Sequence, residues 1–147
     1  MKRDLFLQAA FDEARLSLSE GGIPIGSVLV SEGKIIGRGH NCRVQTGSAI
    51  DHGEMNCLRN AGRLPSRVYR SSTMYSTLSP CPMCSGAIVL YKIPQVIVGE
   101  NQNFRGAEDY MRSQGIRVDV VQDAECIQLM QKFIAENPNL WNEDIGV

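Results

Sequence analysis

Residues 73–99 read TMYSTLSPCPMCSGAIVLYKIPQVIVG. Residues 73–78 carry the aromatic and β-branched side chains of a short strand. Pro80 can open a helix, because its missing N–H is not needed in the first turn. That helix runs to about Tyr91. Pro94 blocks its continuation, and residues 95–99, QVIVG, read as a buried strand. A strand, a helix and a second strand in this order form a crossover unit, whose strands lie parallel and whose connection is right-handed.

The rest of the chain extends this unit. Downstream, residues 107–114 read as a short helix, 117–121 as a strand and 124–136 as a helix, and the tail 137–147 holds the only tryptophan, Trp141. Upstream, residues 2–20 form an amphipathic helix whose apolar face includes Leu5, Phe6, Ala9, Ala10, Ala14 and Leu16, and Gly21-Gly22 stops it. Residues 25–30 and 34–39 read as two strands around a Ser31-Glu32-Gly33 turn, a hairpin. Helical spacing returns over 52–61 with Met55, Leu58 and Ala61, and Gly62 and Pro65 end it. A hairpin followed by alternating strands and helices argues an α/β layered domain, a mixed sheet with helices on both faces. The strand order does not follow from the sequence.

The chain's 147 residues, 43% hydrophobic and 21% charged, are expected to form a single domain over 1–147 with its own core. A net charge of -1 leaves no electrostatic footprint for a polyanion, so no nucleic-acid polymer is expected as substrate. Five cysteines, two of them in Cys81-x-x-Cys84, read as thiols or metal ligands and not as a disulfide framework. The first ten residues mix charged and apolar side chains, unlike a signal peptide, and no apolar run has the length of a membrane span. The expected location is the cytoplasm.

The chemistry concentrates in three places. Cys81 and Cys84 stand three apart near a helix start, so both sulfurs can reach one ion, and the helix N-terminus favours thiolate. His52 adds a nitrogen from the start of another helix. Three protein ligands leave one position of a tetrahedral zinc for water, the arrangement of catalytic sites. Glu54 lies two residues beyond His52, close to such an ion without being needed as a ligand, and can shuttle a proton between water and substrate. Asn41 follows the hairpin, where an amide can read a base edge or simply complete a turn. Alone, the Cys-x-x-Cys also fits a redox pair, or half of a closed structural site with His40, Cys42, Cys57 or Cys126 as fourth ligand. Taken together, His-x-Glu followed by Pro-Cys-x-x-Cys is the signature of zinc nucleobase deaminases.

On these residues the chain resembles the cytidine and deoxycytidylate deaminase superfamily, and within it the fungal cytosine deaminases. The likeness extends through Gly21-Gly22-Ile23-Pro24-Ile25-Gly26, Gly37-Arg38-Gly39-His40-Asn41, Gly47-Ser48-Ala49, Thr77-Leu78-Ser79-Pro80-Cys81, Val98-Gly99-Glu100-Asn101 and Glu143-Asp144-Ile145-Gly146. The resemblance implies a three-layer α/β/α sandwich around a five-stranded mixed sheet, one zinc ion per chain and a homodimer. It implies that His52, Cys81 and Cys84 hold the zinc and that Glu54 is the proton shuttle. Asn41 and the Gly53 N–H would bind the base carbonyl. Ser79 would offer its backbone carbonyl, and Asp144 would bind the amino end. Phe104 and Trp141 would cover the ring, with Ile25 lining the pocket. The reaction implied is deamination of a small free base, cytosine to uracil plus ammonia.

Creatinine and guanine are the neighbouring substrates to consider. A tRNA adenosine deaminase shares the zinc signature but should carry basic surface, and a tail closing over the base disfavours a nucleoside. A non-enzymatic zinc module would leave Glu54 without a role. The chain departs from the family at Asp51, usually apolar, at Pro82, acidic in the fungal enzymes, and at Cys42-Arg43-Val44. These positions flank the expected pocket and bear on which base is taken.

Overall fold

The computed structural model describes residues 3–147. Its elements are α1 (Leu5–Ser19), β1 (Gly26–Ser31), β2 (Lys34–His40), α2 (Arg43–Thr46), α3 (Gly53–Ala61), α4 (Ser66–Arg70), β3 (Ser72–Ser76), α5 (Pro82–Tyr91), β4 (Gln95–Val98), α6 (Glu108–Ser113), β5 (Arg117–Val120), α7 (Ala124–Glu136) and α8 (Pro138–Asp144). The five strands form one sheet in the order β2-β1-β3-β4-β5. β1 runs antiparallel to both of its neighbours, and β3, β4 and β5 are mutually parallel, as the crossover reading requires.

Side chains alternate between the faces of the sheet, and each face has its own core. Val28, Val30 and Tyr75 point to one side and pack with Leu7 and Ala10 of α1. Leu29, Met74, Val96, Val98 and Val118 point to the other, against Cys57 of α3, Ile88 of α5 and Met111 of α6. A third cluster joins Ile23, Ile25 and Leu78 to Met130 and Phe133 of α7 and Trp141 of α8. α1 lies so close to the sheet that a Cβ on Gly26 would overlap the Ala10 carbonyl oxygen, which restricts position 26 to glycine.

Several boundaries differ from the sequence reading for local reasons. Lys2, the expected start of the first helix, lies outside the described residues. Asp4 caps α1 by accepting the Phe6 and Leu7 N–H groups, so the helix begins at Leu5. β3 stops at Ser76; the Thr77 N–H still donates to the Gly26 carbonyl at 3.0 Å, but the Gly26 N–H goes to the Thr77 side chain at 3.1 Å and not to a backbone carbonyl. α5 opens at Pro82 and not at Pro80. A residue before proline is pushed out of helical backbone, and Cys81 is accordingly extended at φ -66° and ψ 171°. Three short helices, α2, α4 and α8, were not expected. Among the described residues no helix is long and apolar enough to cross a membrane.

Candidate active site

The site lies beyond the C-terminal end of β3, where the N-termini of α3 and α5 meet. His52 is the N-cap of α3, in extended backbone at φ -68° and ψ 162°. Cys81 is the N-cap of α5, and its sulfur accepts the Cys84 N–H at 3.5 Å. The thiols therefore converge through cap geometry at the head of the helix, and not along a helix face as their spacing suggested. His52 Nδ1 stands 3.4 Å from Cys81 Sγ, and the ligand atoms of His52, Cys81 and Cys84 all lie within 4.8 Å of one another. Nitrogen and sulfur bound to one tetrahedral zinc stand about 3.5 Å apart, given bonds of about 2.1 and 2.3 Å. The donor set and its spacing thus fit zinc. Among the described residues no fourth histidine, cysteine or carboxylate joins the group. His40, one candidate for closing it, is taken up by Glu13 and Glu20, each at 2.8 Å.

The electrostatics separate the two thiols. Hydrogen bonding from Cys84 stabilises the Cys81 thiolate against the cost of burial, and with the help of His52 brings its pKa down to about 4. Cys84, the donor in that pair and fully buried, is pushed up. Burial works against a charged His52, but Cys81 and the carboxylates of Asp144 and Glu54 outweigh it and hold the imidazole at about 9. Glu54 is 4% exposed, and burial, reinforced by the Cys81 sulfur, raises its carboxyl to about 7. A carboxyl at that value can both take and give a proton near neutral pH.

Of the residues expected in the pocket, Ile25, Gly53, Ser79, Phe104, Trp141 and Asp144 line it with His52, Glu54 and Cys81. Asn41 is fully buried directly behind Asp144, donating from Nδ2 to Asp144 Oδ1 at 2.7 Å. The same carboxylate oxygen stands 3.5 Å from His52 Nε2, on the ring edge opposite the thiols. A partner there favours keeping the proton on Nε2, so that Nδ1 is the nitrogen that would give up its proton to a metal. Phe104 meets Trp141 edge to face, with centroids 5.9 Å apart and planes at 83°. The space these residues leave is only about 10 Å³, room for about one water.

Two lining residues, Leu78 and Ile145, were not singled out from the sequence, although both stand beside residues that were. The departures at Asp51 and Pro82 do not reach the pocket. The Asp51 carboxylate faces the other way, accepting from Arg59 at 2.9 Å, Thr46 at 3.0 Å and Asn56 at 3.3 Å.

A five-stranded mixed sheet with a His-Cys-Cys group and a buried glutamate at the heads of two helices defines a zinc-dependent deaminase. The sequence comparisons agree. Residues 1–100 match the family described as the cytidine and deoxycytidylate deaminase zinc-binding region, and the chain belongs to that family. It is 55% identical over 141 residues to a cytosine deaminase of Candida albicans, covering 95% of this chain and 94% of that protein. It is 41% identical over 142 residues to a tRNA-specific adenosine deaminase of Streptococcus pyogenes, covering 89% of each. Among solved structures, a tRNA:A34 deaminase superposes with a TM-score of 0.73 at 27% identity, over 86% of this chain and 99% of that one. A guanine deaminase from Nitrosomonas europaea shares the fold with a TM-score of 0.74 at 16% identity, over 88% and 83%.

Proposed function

We propose that this protein hydrolyses the exocyclic amine of free cytosine, giving uracil and ammonia. The observation that carries the reading is the Asn41–Asp144 pair, a carboxylate in the pocket wall with a buried amide behind it, beside Glu54 and the three-ligand group. The likeness to the Candida albicans cytosine deaminase supports it.

His52, Cys81 and Cys84 would hold one zinc ion per chain, which when bound supplies a Lewis acid that activates water near neutral pH. Asn41 spends one amide hydrogen on Asp144 and has a second for the base carbonyl, joined by the Gly53 N–H, one of the unpaired donors of the first turn of α3. Asp144 accepts from the exocyclic amine. The Ser79 backbone carbonyl orients the same end of the base. Phe104 and Trp141 cover the ring, Ile25 supports it from the side, and together they exclude bulk water. Glu54 takes one proton from the attacking water and delivers it to the ring nitrogen as the water oxygen bonds to the amine-bearing carbon. It then carries the second proton from the new hydroxyl to the nitrogen as the carbon–nitrogen bond breaks. The space left at the site is small, about 10 Å³, so α8 with Trp141 and Asp144 would move to admit a pyrimidine, and product exit could limit the rate.

The working unit we propose is a homodimer. A hollow between α3 and α5, lined by Ile50, Met55, Leu58, Ala87 and Tyr91 together with Arg59 and Arg63, offers a face for a second copy, and Ile50 is 56% exposed there. Five free cysteines suit the reducing cytoplasm, where the reaction would serve pyrimidine salvage.

The test is ammonia release by zinc-loaded protein from cytosine, cytidine, creatinine, guanine and adenine, with inosine formation in a tRNA anticodon stem-loop measured alongside. Release from cytosine and not from cytidine is expected. Activity on the stem-loop or on creatinine, with cytosine inert, would overturn the assignment of the base.

A further inference from the structure

Two buried carboxylates beside the pocket take no part in this chemistry. Glu100 and Glu108 are 0% and 1% exposed. Glu100 holds its own loop, accepting the N–H groups of Gln102 and Asn103 and the Asn103 side-chain amide. Glu108, the first residue of α6, reaches further. Its Oε2 accepts the Ser79 hydroxyl at 2.7 Å and the Asn101 amide at 3.2 Å. Arg105 and Arg112 each stand 3.6 Å from its other oxygen and balance its charge.

The Ser79 oxygen in turn accepts the Gly106 N–H at 2.9 Å. Its single proton is committed to Glu108, so the hydroxyl has none to offer a base. What Ser79 gives the pocket must come from its backbone. Two further bonds run in parallel, Ser79 N–H to the Glu100 carbonyl at 3.0 Å and Ala107 N–H to the Pro80 carbonyl at 3.1 Å. A Cβ on Gly106 would overlap that Pro80 oxygen, so the two segments are in backbone contact. One of them, residues 77–81, leads from β3 to Cys81. The other, residues 99–107, carries Phe104, the edge-on partner of Trp141.

We propose that Glu108 is a positioning residue for the base pocket: through the Ser79 hydroxyl it locks the segment before Cys81 to the loop bearing Phe104, and so fixes both walls without touching the base. The proposal rests on reading this pocket as the base site. A charge that served only α6 would have no need of Ser79, which lies 29 residues away in sequence. An amide in place of Glu108 would present N–H groups to donors, leaving Ser79 or Asn101 without an acceptor.

The test compares zinc-loaded wild type with Glu108→Gln, Ser79→Ala and the double variant. The readouts are zinc content, native-state emission of Trp141, which is the only tryptophan, and kcat and KM for cytosine. Zinc should stay at one per chain. Both single variants should shift the Trp141 emission and lower kcat/KM about 10-fold through displaced pocket walls. The double variant should be no worse than the worse single, because both changes break one connection. A loss of global stability alone would leave native-state emission unchanged. Wild-type emission in both single variants overturns the proposal, as does full additivity in the double. Should Glu108→Gln fail to fold, Ser79→Ala decides, since it keeps the backbone carbonyl. If the wild type does not act on cytosine, the substrate assignment fails by itself, and the emission shift still decides the role of Glu108.

Discussion

Replacing Glu54 by Gln separates chemistry from stability, because the structure sets the two effects in opposite directions. The carboxyl is 4% exposed, and its pKa is raised by burial and by the Cys81 sulfur from 4.5 to about 7. Gln keeps the shape and can neither accept nor deliver a proton. In the proposed mechanism both transfers pass through this one group, so kcat should fall by about 10³- to 10⁴-fold, about 4 to 5.5 kcal/mol in the barrier. Stability should move the other way. A carboxyl whose pKa is higher in the folded than in the unfolded chain stabilises the fold in its protonated form, so stability falls as pH rises from 4.5 through about 7. That rise corresponds to about 3 kcal/mol, which the variant should recover at pH 8 and should not show at pH 4. The assay pairs ammonia release by the zinc-loaded protein with urea unfolding of chelator-stripped protein at both pH values. A variant within 10-fold of wild-type turnover with zinc retained would remove Glu54 from the shuttle role. Equal stability of the two chelated proteins at pH 8 would refute the burial argument.

Two further changes test the frame around the site. Asp51→Leu removes the acceptor shared by Arg59, Thr46 and Asn56 and should cost about 1–3 kcal/mol in chemical unfolding; the ratio of cytosine to creatinine turnover should not change, and a changed ratio would show that this carboxylate selects the base after all. Asp123→Asn breaks the two-bond pair with Arg3, both at 2.8 Å, and weakens the cap on α7. Arg3 holds the Asp123 carboxyl down at about 2 against the opposing effect of burial, so its contribution is complete above pH 3.8 and fades as pH falls towards 2. The variant should be about 1–2 kcal/mol less stable at pH 7 by urea unfolding, and the gap should close towards pH 2; a gap independent of pH would assign the effect to the cap alone.

What the sequence made legible was local. Pro94 and the run QVIVG placed β4, and α7 occupies the span 124–136 read as a helix. α8 was missed although Asn137-Pro138 is a helix-opening pair, because seven residues are too few to show a period. The extended backbone of Cys81 could have been read from the proline after it, which is the residue that turns the thiol into a cap. The carboxylates were the hard part. A lone glutamate in the first turn of a short helix reads as solvated, and Glu108 is buried only because Ser79, Asn101 and two arginines meet it there. Asp144 and Asn41 are 103 residues apart, and no local pattern indicates that they share a hydrogen bond.

That long-range bond also bears on how a small pocket can discriminate and then let go. With the pocket shut, Asn41 and Asp144 satisfy each other, and burial holds the Asp144 carboxyl above its ordinary value. In the proposed roles that bond persists and each group keeps one further position for the base, the second amide hydrogen of Asn41 for a carbonyl and the Asp144 carboxylate for an amine, and cytosine has both. A base lacking either leaves a buried polar group unpaired, at about 1–3 kcal/mol. Deamination replaces that amine by a carbonyl, which turns an oxygen towards the Asp144 carboxylate. In the proposed roles the product would thereby lose the contact between the substrate amine and Asp144. Because Asp144 belongs to α8 and stands 3.5 Å from His52 Nε2, the proposed roles would place that loss of contact on the element that carries Trp141.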